Sequence, residues 1–101
     1  MHDLSDIRPG MEHLNFTVII SNMTEIRNVK SHSGIEHKIL EGEMTDGQNH
    51  IPFTVWNEKT ELFSDIKIGD RVVLKNCFIT SFKGKLQVNI GRDSDLKKIE
   101  A

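Results

Sequence analysis

The chain has 101 residues, with 13 Lys and Arg against 15 Asp and Glu, a formal net charge of −2, and 37% hydrophobic and 28% charged residues. A chain this short holds one compact core, and its composition excludes an intrinsically disordered protein; without an apolar run of membrane-spanning length, a helical membrane protein is excluded too. The charge excludes a nucleic-acid binder that relies on its overall field, although screening within roughly 10 Å at moderate salt still allows a local cationic groove.

Met1-His2-Asp3-Leu4-Ser5-Asp6 lacks the basic and apolar regions of a secretory signal, and the single Cys77 has neither a disulfide partner nor a CxxC mate. The expected compartment is therefore reducing and cytoplasmic. Asp6 to Leu14 is a lead-in with a turn at Pro9-Gly10. From Asn15 to Ile20, Phe16, Val18 and Ile20 share one face, which predicts a β-strand. The pattern runs on less regularly through Met23, Ile26 and Val29, predicting one long strand with a bulge. Ser31 to Gly34 is a turn, and Ile35 to Met44 a second strand in which Gly42 marks a bend or a close backbone approach. Asp46-Gly47 leads into a third strand, His50 to Trp56, with Ile51, Phe53 and Val55 inward and Pro52, Thr54 and Trp56 outward. Asn57 to Ile68 predicts a short helix or helical turn, stopped at Gly69-Asp70.

In the fourth strand Val72 and Leu74 face inward, yet the next inward residues are Cys77 and Ile79. An interval of three where two is required predicts a β-bulge near Lys75-Asn76. Lys83-Gly84 then turns a hairpin whose second arm puts Leu86, Val88 and Ile90 inward and Lys85, Gln87 and Asn89 outward. The outward face also receives Phe78, Thr80 and Phe82 from the first arm. Residues 93–101 are charged, with only Leu96 and Ile99 as strand signals, and are expected to be a frayed tail. Five strands with a short helical segment between the third and fourth is the order of an all-β, Greek-key oligonucleotide/oligosaccharide-binding (OB) barrel, expected to fill the chain as a single domain.

Outward aromatics beside cations suit a surface that stacks on bases and neutralises phosphates. The acids gather elsewhere, at Glu41, Glu43 and Asp46 and at Glu58, Glu61 and Asp65, and none falls between Lys75 and Arg92. The five histidines fit no zinc-binding spacing, and no nucleophile with a base or phosphate loop of the GxxxxGK type is present. We expect no enzyme, no metal, no cofactor and no small-molecule substrate. Cys77 is expected to be a small buried residue.

Ile7-Arg8-Pro9-Gly10-Met11, Val55-Trp56-Asn57, Ile68-Gly69-Asp70, Ser81-Phe82-Lys83-Gly84 and Gly91-Arg92 through Asp95-Leu96-Lys97-Lys98-Ile99 occur in this order along the chain. Together they resemble the single-OB single-stranded DNA-binding proteins of archaea, their eukaryotic relatives in the single-strand-sensing complex, and the OB domains of replication protein A. The resemblance implies a non-catalytic protein of DNA replication, recombination or repair that binds single strands and meets partner proteins of those processes. It also implies that Trp56, Phe78 and Phe82 are the base-stacking aromatics, with Arg27, Lys30, Lys83 and Arg92 at basic positions. Lys85 and Asn89 join them from the hairpin pattern, as a cation and as a group able to reach a base edge or only water. Each of these cations suits a solvated charge as well as a phosphate contact. Asn89 stands where the eukaryotic relatives carry another aromatic, which implies one stacked base fewer. The acidic tail common after the barrel is missing, so either the chain is trimmed or it recruits partners differently. Two rivals stay open: an RNA- or tRNA-binding OB domain, and an OB module that binds protein through the same aromatics.

Overall fold

The computed structural model describes residues 4–99, except for the side chain of Phe82. Period-two alternation of β-branched and apolar residues gives strands β1 (Leu14–Met23), β2 (Arg27–Lys30), β3 (Glu36–Thr45), β4 (His50–Trp56), β5 (Arg71–Phe82), β6 (Lys85–Ile90) and β7 (Asp95–Ile99). Single 3₁₀ segments lie at Leu4–Asp6 and, between β4 and β5, at Asn57–Phe63. β1 pairs antiparallel with β3 and β5, β3 with β4, and β5 with β6; β4 meets β6 in parallel. The pairings thus run round a ring of five strands, the OB arrangement expected from the sequence. Phe16, Val18, Ile20, Met44, Phe53, Val55, Val72, Leu74, Ile79, Val88 and Ile90 fill the ring and are almost wholly shielded from solvent.

Local chemistry sets the curvature. On β1 and β5, Leu14 faces Cys77 and Phe16 faces Leu74, so two steps on one strand match three on the other. This is the predicted bulge, and Asn76 takes φ +59° within it. The hairpin turn places Lys83 at φ +52° and Gly84 at φ +79°, a two-residue turn whose twist suits the flanking strands. Gly42 is required by packing: a Cβ there would lie 2.7 Å from the Phe53 ring and would also run into the Asn22 carbonyl oxygen.

Two parts of the chain depart from the sequence pattern. From Ile19 onward the long first strand runs against β3 with extra residues at Ser21 and between Met23 and Arg27, so the expected bulging is present, but it is interrupted over residues 24–26 and counts as two strands. At its break the Thr24 amide donates to the Glu41 carbonyl at 2.7 Å, after which β2 pairs with the first half of β3. The segment expected to fray instead forms β7, pairing Asp95 through Ile99 with Lys75 through Arg71; residues 100 and 101 lie outside the described residues. Leu96 packs against the core, and the Lys98 ammonium lies 3.3 Å from Asp70. The Asp70 carboxyl is held below its usual range, chiefly by the Lys67 backbone N–H and further by Lys98. Tertiary pairing therefore orders a stretch too short and too charged to announce itself.

Candidate nucleic-acid interface

The ring has an outward face centred on β4, β6 and β5. Register puts Phe78 opposite Asn89 and Thr80 opposite Gln87, while Thr54 on β4 meets Asn89 from the other side. Facing pairs in register share a side of the sheet, so Trp56, Thr54, Asn89, Gln87, Thr80 and Phe78 form one surface. β3 continues it: Ile39 pairs with Trp56 and is 6% exposed, yet it stands apart from the core cluster inside the ring. Ile39 is an apolar footing beside the indole on the outside of the barrel.

Trp56 is half-buried, with its indole Nε1–H donating to Asn89 Oδ1 at 3.1 Å. The His37 ring meets the indole edge-on, at 89° with centroids 6.0 Å apart. Phe78 is also half-buried; a Cβ on Gly91 would stand 3.0 Å from its ring, so any larger residue there would press the phenyl aside by a few tenths of an ångström. Beyond Phe78 opens a cleft of about 190 Å³, lined by His13, Asn76 and Arg92 among others. His13 and Asn76, both at φ +59°, hydrogen-bond to each other at 2.6 Å on its wall.

Asn89 departs from expectation. The strand alternation is right about its face, but the residue is only 3% exposed, so its amide is not presented at the surface as expected. Its Oδ1 is taken by Trp56, and its Nδ2 donates to Thr80 Oγ1 at 2.9 Å. The neighbouring Gln87 amide donates to the Thr54 hydroxyl, and Thr54 is likewise buried. Among the described residues no buried side-chain nitrogen or oxygen lacks a hydrogen-bond partner. The floor between the aromatics is thus polar, and its buried groups are bonded within the protein.

The cations are spread unevenly about this face. Lys83, Lys85 and Arg92 are exposed, and so is Lys30, but Lys30 pairs with Glu36 and so stands on the side of β2 opposite Arg27, away from Trp56. Arg27 is exposed as well but forms an ion pair with Glu41, so a phosphate at that position has to compete with a carboxylate. Arg92 has a looser neighbour, its Nε lying 4.0 Å from Asp93. Phe82 ends β5 in register with Lys85, and its side chain lies outside the described residues. Cys77 is fully buried, and loss of solvation pushes its thiol up to about 12, which fits a core residue and not a nucleophile.

His37 was not apparent from the sequence as part of this face. Its signal is the period-two series His37, Ile39, Glu41, which points outward once Ile39 is known to pair with Trp56. That pairing is a fact of strand register and not of residue type.

The single-stranded DNA binding protein Ssb of Saccharolobus solfataricus is 30% identical over 88 residues, covering 87% of this chain. This chain spans 57% of that relative's length. Among solved structures, the replication factor A related protein from Methanobacterium thermoautotrophicum superposes with a TM-score of 0.82 at 20% identity, covering 99% of this chain and 91% of that one. Fission yeast Pot1, solved with single-stranded DNA, superposes with a TM-score of 0.71 at 16% identity, covering 97% of this chain and 39% of that one. Residues 7–98 match the family described as single-stranded DNA binding protein Ssb-like, OB fold, and the chain belongs to that family.

Proposed function

We propose that the chain binds single-stranded DNA with little sequence preference, stacking bases on Trp56, Phe78 and Phe82 while Lys30, Lys83, Lys85 and Arg92 follow the phosphates. The observation that supports this best is the outward face itself. Two partly exposed aromatic rings flank a floor whose amides and hydroxyls already bond one another. Rings accept any base because every base has a π-face, whereas reading a sequence requires free donors and acceptors. For Phe82 the support is the resemblance and its place at the end of β5; for Lys30, which pairs with Glu36 on the other side of the sheet, it is the resemblance alone. Arg27 contributes less, because Glu41 already neutralises it.

The family is one of binding proteins and not of enzymes. Work in replication, recombination or repair, contacts with proteins of those processes, and a place in the cytoplasm beside the DNA follow as parts of the same proposal. Among the described residues no helix is long and apolar enough to cross a membrane.

The test is quenching of the lone tryptophan's fluorescence by titrated oligo-dT at two salt concentrations, with a matched oligo-U as competitor. Saturable quenching with a shallow salt dependence is expected, together with weaker competition by RNA. No quenching at either salt would refute the proposal, and stronger competition by oligo-U would reassign the face to RNA, since the 2′-hydroxyl is the difference at the sugar.

A further inference from the structure

Trp56 lies one residue past the end of the parallel ladder between β4 and β6, which runs through Phe53, Thr54 and Val55. The next residue, Asn57, takes φ +53° and turns the chain away. Toward β6, the indole is held by a side chain, the Asn89 amide. We propose that Asn89 is a positioning residue: it fixes the plane of the Trp56 indole relative to the strand that carries Phe78, so that both rings present faces a single strand can stack on. The proposal rests on the binding mode given above.

A buried amide costs free energy unless its hydrogen bonds are made, and Asn89 makes them in both directions. Its Oδ1 accepts from the indole of β4, while its Nδ2 donates to Thr80 Oγ1 of β5 at 2.9 Å, with longer approaches to the Phe78 and Gln87 carbonyl oxygens at 3.4 and 3.3 Å. The orientation follows from the partners. An indole N–H can only donate, so the amide must turn its oxygen toward Trp56 and its nitrogen toward the acceptors on β5 and β6. The amide thus joins both ring-bearing strands through one planar group. His37, edge-on to the indole, adds a second restraint, and Ile39 is the register partner of Trp56 on β3. An apolar or aromatic residue at position 89 would leave the indole N–H without this partner.

A double-mutant cycle tests this, because phenylalanine has no N–H for Asn89 to hold. Four proteins are compared: wild type, Asn89→Leu, Trp56→Phe and the double variant. Affinity for oligo-dT is measured in all four, and time-resolved anisotropy of the indole, without DNA, in the two that keep Trp56. We expect Asn89→Leu to weaken binding roughly 3- to 10-fold with Trp56 present, and less than about twofold in the Trp56→Phe background. Fast local motion of the indole should rise in free Asn89→Leu protein. Equal losses in both backgrounds would overturn the proposal, since Asn89 would then act on the barrel at large or on DNA directly. Unchanged indole motion would overturn it as well. If Asn89→Leu does not fold, Asn89→Ala is read through the same cycle. Failure of the binding mode itself looks different: all four proteins would bind oligo-dT alike while the anisotropy of the free protein still responded to position 89.

Discussion

Trp56→Ala removes the largest ring of the outward face, and its cost can be divided into two parts. Loss of one stacked base is worth about 1–3 kcal/mol, or roughly a 5- to 150-fold rise in Kd for oligo-dT. The second part is internal. Asn89 Oδ1 loses its 3.1 Å donor and His37 loses its ring partner, and a buried acceptor without a partner costs about 1–3 kcal/mol of stability. Removing the indole also opens Asn89 to water, which places that cost at the lower end. The two parts separate experimentally: denaturant unfolding reads the second, and anisotropy of a labelled oligo-dT well below the melting temperature reads the first. Because an indole carries no charge, the fold-loss in affinity should be the same at low and high salt. A folded Trp56→Ala protein that binds within twofold of wild type would refute stacking on this face. A loss that vanished at high salt would show that phosphate contacts, and not the ring, had been disturbed.

Further outcomes follow from the same geometry. Lys85→Ala and Arg92→Ala should each weaken oligo-dT binding modestly and reduce the slope of log K against log salt by about 0.7, whereas Arg27→Ala, already paired with Glu41, should change that slope less; titrations at several salt concentrations check all three. Gly42→Ala forces a Cβ to 2.7 Å from the Phe53 ring, and the expected loss of at least about 1 kcal/mol should lower the melting temperature by roughly 4 °C or more in a thermal scan. Cys77 should resist thiol reagents in the native protein. Burial raises its pKa in the folded state from 9.0 to about 12, so the unfolded chain loses this proton first. The stabilising contribution is complete below pH 9.0 and declines as pH rises toward about 12, by no more than about 1.4 kcal/mol per unit, which denaturant melts of wild type and Cys77→Ala will resolve.

The division between what residues announce and what folding decides is sharp at particular positions. Alternation in His50–Trp56 and Lys85–Ile90 assigned the faces of Trp56, Phe53, Val55, Val88 and Ile90 correctly, because a strand's side chains must alternate whatever surrounds it. The three-residue interval from Leu74 to Cys77 was enough to locate a bulge, since a pleated strand cannot skip a residue without one. Lys83-Gly84 was legible as a turn for a similarly local reason, the low cost of φ above zero at glycine.

Other features depend on what lies across the sheet. The strand at Asp95–Ile99 exists because Arg71–Lys75 offers it a ladder, and the first long strand is interrupted where four steps from Met23 to Arg27 meet three from Gly42 to Ile39 on β3. Alternation sent Asn89 to the correct face but could not reveal that Trp56 and Thr80 would take its amide, nor could it bring His37 beside the indole. The sequence by itself determined a small β-barrel with outward rings and a cationic hairpin, because periodicity, turn chemistry and bulges are properties of neighbouring residues. Only the tertiary structure decided which polar groups beneath those rings are already satisfied, because the partners of Asn89 stand 33 and 9 residues away and meet it through strand register alone.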